Sequence, residues 1–176
     1  TDGDGSIAGL KLGNPKGFKT SYALKADKIA LSLEPSSLTK NVAVIRKIEL
    51  DSPHITYEKN DKGITNFDAI QRNVEQYLGT SGKSGGDEKK MIIESLSIRN
   101  AKVNYSGAVD MNIDLPDIEL RDIGKKTGGV DSSGLAKAII SELNAQTMKA
   151  VAKSVTDSVG AAADSTKKTI QGLFGK

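Results

Sequence analysis

His54 is the one histidine in the chain, so any chemistry that needs an imidazole would run through it. It stands in "DSPHITYE", at a break between two apolar alternations and out of step with Ile55 and Tyr57. A general base needs a nucleophile or an orienting partner, and the spacing supplies neither. Four carboxylates recur at Asp110, Asp114, Asp117 and Asp122. They alternate with Met111, Ile113 and Leu115, so a solvated strand face accounts for them, and no pair stands out as acid and base. "DGDG" near the start places Asp2 and Asp4 like the third and fifth positions of a calcium loop. Lys11 then stands where such a loop needs a bidentate Glu, and a Gly-rich turn into a strand is the better account. The chain has no cysteine, which excludes thiol nucleophiles, disulfides and Cys-based metal sites. Phosphate loops, dinucleotide fingerprints and nucleophile elbows are absent from the sequence. No catalytic residue, metal ligand or cofactor is assigned, and the chain reads as a non-enzyme.

The remaining chemistry is apolar, and it depends on the elements that would carry it. The 176 residues suit one domain with an appended helix. Apolar residues make up 37% and aromatics 4%, a lean supply that suits a thin or open core. A net charge of +3 with scattered lysines gives no basic stripe for a nucleic acid. No apolar run approaches the ~18 residues of a membrane span. The abrupt opening "TDGDGSIAGL" reads as a chain whose N-terminal anchor or export signal has been removed.

The stretch "VIRKIELDSPHITYE" from Val44 is echoed by "IIESLSIRNAKVNYS" from Ile92, at a constant offset of 48 residues. Val42, Val44, Ile48 and Leu50 share even positions, and Ile55 with Tyr57 resume after a break at "DSP". Each copy reads as strand, corner, strand. Upstream, Tyr22, Leu24 and Ala26 change parity against Ile29, Leu31 and Leu33, which predicts a bulge near Asp27 and Lys28. Between the copies, Phe67, Ile70, Val74 and Tyr77 fall at helical spacing behind Thr65 or Asn66 as cap, which predicts a helix over residues 66–78. Residues 79–90 read as a flexible Gly/Ser-rich linker. From residue 129 the chain turns Ala-rich and Pro-free. Ile140, Leu143, Met148, Val151, Val155 and Val159 form the apolar stripe of a long helix.

The expected fold is therefore α+β. Residues 1–128 form a twisted, curved antiparallel sheet of about seven or eight strands, built from repeated strand–corner–strand units. A long amphipathic helix and tail, residues 129–176, pack on its apolar face. Ile48, Leu50, Ile55, Tyr57, Leu96, Ile98, Val103 and Tyr105 would line one side of that sheet. The plainer reading has the C-terminal helix cover this face and make it core. The functional reading makes it a groove for lipid or a protein partner, with the helix as plug or lid.

The series "GSIAGLKLGNPKGF", "ALKADKIALSLEPSSL" and "VIRKIELDSPHITYEKN", followed by "GITNFDAIQRNV", "DLPDIELRDIG" and the closing "GLFGK", resembles the short bacterial AsmA-like proteins. These are similar to modules of the larger AsmA and TamB-type envelope proteins. The resemblance implies a body on the periplasmic side of the bacterial inner membrane, held in the full-length protein by an N-terminal anchor. It also implies a curved sheet with an apolar trough, and a role in lipid binding or outer-membrane homeostasis. The alternative is a structural module that self-associates or docks an envelope protein through edge strands or the C-terminal helix.

Overall fold

A computed structural model describes residues 3–81, 89–107 and 110–174. Eight strands form one sheet: β1 (Asp4–Gly13), β2 (Tyr22–Leu33), β3 (Val42–Asp51), β4 (His54–Glu58), β5 (Lys90–Arg99), β6 (Lys102–Ser106), β7 (Met111–Asp114) and β8 (Ile118–Ile123). Helix α1 (Asn66–Ser81) lies between β4 and β5, and α2 (Ser132–Phe174) closes the chain. The α+β class, the curled sheet, the inserted helix and the long C-terminal helix all agree with the sequence. Helix α1 runs into the linker expected over 79–90, ending at Ser81, and Lys90 already opens β5, so the expected linker is shorter at both ends; residues 82–88 lie outside the described residues.

The sheet is simpler than eight strands suggest. It consists of five long strands, each bent at one shared crease. β3 continues into β4, β5 into β6, and β7 into β8. β2 holds one register on both sides of the bend, pairing Ile29 with Leu50 and Leu24 with Ile55. The β5–β8 and β6–β7 ladders likewise share a register, pairing Ile98 with Ile118 and Val103 with Ile113. The crease thus runs through Gly9, Asp27, Ser52, Asn100 and Pro116 in neighbouring strands. Gly9, Ser52 and Asn100 all take positive φ, at 69°, 53° and 53°. Ser52 and Asn100 are equivalent positions of the two repeat copies, so the echo in sequence is an echo of one corner. Across it Asn100 Nδ2 donates to Asp51 Oδ1 at 2.8 Å, and the Lys102 N–H donates to the Pro53 carbonyl at 3.0 Å. The inner side of the bend carries small or compact groups, with Ala26, Pro53 and Ala101 buried, which lets the sheet fold toward itself.

The repeat also fixes the pairing. β3 and β5 run parallel with Ile48 beside Leu96 and Leu50 beside Ile98, and β4 and β6 run parallel with Tyr57 beside Tyr105. The 48-residue offset is the register itself. This corrects the expectation of a purely antiparallel sheet. Two parallel neighbours need a crossover connection, and the segment carrying α1 supplies it.

A second irregularity escaped the sequence. β3 changes face at Arg46 and Lys47: Ala43 and Ile45 point inward, Val42 and Val44 are half-buried, and Ile48 and Leu50 resume the inward face. β5 does the same at Glu94 and Ser95, so Ile93 rather than Ile92 is fully buried. The even-position strand read for β3 is therefore broken by a bulge.

Candidate ligand cleft and the covered sheet face

The eight residues expected to line the trough do share one face. Ile48, Leu50, Ile55, Tyr57, Leu96, Ile98 and Val103 are buried, and Tyr105 is half-buried. They are core. Phe67 and Ile70 from α1, with Ile140 and Leu143 from α2, complete the same cluster. The rings of Phe67 and Tyr57 stack at 5.7 Å, and Tyr105 lies 6.2 Å from Tyr57.

The cover is unequal along α2. The buried stripe runs Ile140, Leu143 and Thr147, with Val151 half-buried. Met148, assigned to the stripe from sequence, is exposed because it sits one step of ~100° past Thr147. Val155 and Val159 are also exposed, and so is every side chain from Val155 to Ser165. Among the described side chains of α2, those up to Val151 carry its packing on the body of the fold. Beneath the helix the Thr147 hydroxyl is buried without a hydrogen-bond partner.

Two polar networks hold the helices in place. Asn66 is fully buried. Its Oδ1 accepts the N–H groups of Glu58 and Phe67, and its Nδ2 donates to the Thr56 carbonyl and to Asn14 Oδ1. Asn14 in turn donates to Thr20 and to the Tyr22 carbonyl. The Glu58 carboxylate accepts the Lys19 N–H at 2.7 Å, the Thr20 N–H at 2.8 Å and the Thr20 hydroxyl at 2.6 Å. The helix cap itself is Thr65, whose Oγ1 accepts the Asp68 N–H while the Thr65 N–H points back to the Asp68 carboxylate. Asp68 also accepts from Asn144 of α2, which accepts the Tyr57 hydroxyl. One acidic side chain thus ties α1 to α2.

Burial pushes the Glu58 carboxyl up, but the hydrogen bonds from Lys19 and Thr20 outweigh it and hold the group below its usual range. Asp68 behaves alike: burial opposes, the bonds from Thr65 and Asn144 prevail, and Arg72 adds attraction. A carboxyl depressed on folding contributes stability that is complete above its unfolded value and is lost as pH falls through its folded value. Thermal unfolding should therefore shift to lower temperature as pH drops below about 4. Glu58→Gln should be less stable at pH 7 and should lose less on acidification. Parallel pH curves for the two proteins would contradict this.

A cleft of about 450 Å³ opens beside this network, between the end of β1, α1 and the start of α2. Leu12, Pro15, Ile70, Val74, Tyr77 and Ala136 give it an apolar lining, and Asn14, Asn73 and Ser133 give a polar rim. Its volume falls within the ~300–1,000 Å³ usual for ligand sites. Ile70 belongs both to the cleft and to the core, while Leu12 and Val74 pack against that core. No pattern in the sequence marks this site, because its walls come from three elements that no periodicity links.

The other candidates stay apart. His54 is exposed, between Lys25 and Lys102 in the ladder, in a groove shared with Lys102 and Asp114, which pair with each other at 2.8 Å. Asp110 and Asp117 are exposed, and Asp122 pairs with Lys125. Asp4 opens β1 on the surface, while Asp2 lies outside the described residues. Among the described residues no three His, Cys, Asp or Glu side chains gather as metal ligands, and no helix is long and apolar enough to cross a membrane. No protein-family model, curated protein or solved structure matches the chain.

Proposed function

We propose that this chain is a non-catalytic lipid-binding protein of the bacterial envelope, acting on the periplasmic side of the inner membrane. An acyl chain enters the cleft between β1, α1 and α2 and reaches the apolar sheet face as α2 gives way. The observation that carries this reading is the continuity of cleft and core through Ile70. The apolar wall suits a hydrocarbon, and Asn73 and Ser133 suit the ester end of a lipid. The unpartnered Thr147 hydroxyl supports movement of α2, since a buried polar group without a partner costs about 1–3 kcal/mol in the closed state. The resemblance to AsmA-like proteins supports the envelope as the setting.

The test is native mass spectrometry of protein purified gently from a bacterial envelope. A phospholipid mass should accompany the chain and should disappear in Ala136→Trp, which fills the cleft while leaving the core face alone. A lipid-free mass for the native chain, with the fold intact, would sink the proposal.

A further inference from the structure

The sheet has two open edges. Among the described residues β1 pairs only with β2, while β7 and β8 pair only with β6 and β5. Following the pairings across the sheet, β1 and the β7–β8 strand run in opposite directions. A second copy in the same orientation could therefore bring its β1 antiparallel against the β7–β8 edge of the first. Both edges carry the crease, at Gly9 and at Pro116.

Aligning crease with crease sets a unique register, and that register is complementary on both faces. On the concave side Leu12 falls beside Ile113, Leu10 beside Leu115 and Ile7 beside Ile118. Ile7 is 50% exposed and Leu10 is 39% exposed in the single chain, although they pair with buried Ile29 and Ala26 of β2. On the convex side Lys11 falls beside Asp114, Asp4 beside Arg121 and Ser6 beside Glu119. No like charges meet. A slip of two residues in either direction loses both charge pairs, and one such slip sets Asp4 against Glu119. A slip of one puts apolar side chains on the wrong face. Pro116 has no N–H to offer a neighbour, but the ladders within the chain also skip the crease positions.

We infer that this chain associates head to tail with further copies of itself, β1 of one on β7 and β8 of the next, extending one creased sheet. The interface is heterologous, and repeated from copy to copy with no closing rotation it extends an open chain. It stands on the two edges and their charges, independently of lipid binding.

The absence of native cysteine permits a direct test. In one chain Ser6 and Glu119 lie on opposite edges with β2, β3 and β5 between them, ~19 Å apart along the sheet at the usual strand spacing. A disulfide cannot span that distance, so any bond in the double variant Ser6→Cys/Glu119→Cys joins different molecules. Mild oxidation should give a ladder of covalent dimers, trimers and longer species. Adding Lys11→Asp, which sets a carboxylate beside Asp114, should reduce the ladder about ten-fold, and adding Asp114→Lys to that variant should restore it. Monomer alone at high concentration would overturn the inference. So would a ladder indifferent to Lys11→Asp, or one stopping at dimers, with circular dichroism confirming that each variant is folded.

Discussion

Asn66→Ala should destabilise the protein by about 3–5 kcal/mol, the largest loss expected of any single polar substitution. The side chain is fully buried and makes four hydrogen bonds, two through each end of the amide. Truncation strands the Glu58 N–H and the Thr56 carbonyl in β4 and the Phe67 N–H in the first turn of α1. It also releases Asn14, which organises the turn between β1 and β2. Stranded buried groups cost about 1–3 kcal/mol each, and water reaching the nearby cleft relieves part of the sum. Asn144→Ala is the fitting comparison. Asn144 makes one bond to Asp68 and one long bond to Tyr57, on partly buried atoms, so its loss should be nearer 1 kcal/mol. Urea unfolding curves would measure both. A cost below 1 kcal/mol for Asn66→Ala would mean that the network is not what joins α1 to the sheet.

Leu143→Asp should release α2 from the sheet. Leu143 is 1% exposed and packs in the cluster that contains Leu96, Ile98 and Tyr57. Replacing it removes about 2–5 kcal/mol of packing, and a carboxylate there has no partner. The rest of the docked side of α2 is Ile140, the unsatisfied Thr147 and the half-buried Leu135, Ile139, Ala150 and Val151. The sheet should survive, because none of its ladders includes α2. The expected signs are binding of a hydrophobic dye, a changed tyrosine environment, and trypsin cleavage after Lys137 at least ten-fold faster, with strand content kept. Global unfolding, with strand signal lost in step with helix signal, would show that α2 is an obligatory part of the core and not a cover.

What could be read beforehand divides along physical lines. The repeat was legible because a strand writes its buried face with period two, and two such strands in one sheet echo one another. Its meaning was not legible, since parallel and antiparallel neighbours write the same alternation. The parity change at Asp27 and Lys28 is not the expected bulge: the neighbouring strands keep one register past it, and it marks the crease that the positive φ of Ser52 and Asn100 also marks. An equal sign in β3, the adjacent charges Arg46 and Lys47, passed unread because Val42 and Val44 looked like good inward residues. Helix α2 was plain from composition, but how far it stays on the body depends on where the sheet ends. Seven of the eight apolar residues belong to the core cluster and Tyr105 packs against it. That α1 and α2 bury them, and that a cleft lined by Ile70 forms beside them, depends on packing between distant segments.

The most direct measurement is the rate at which the chain takes a fluorescent phospholipid from vesicles, native protein beside Leu143→Asp. With a lipid-binding face under a releasable cover, the native chain extracts lipid slowly and the variant several-fold faster. If neither takes lipid while the variant displays its freed sheet face to the dye, the face is core alone and the lipid account is wrong.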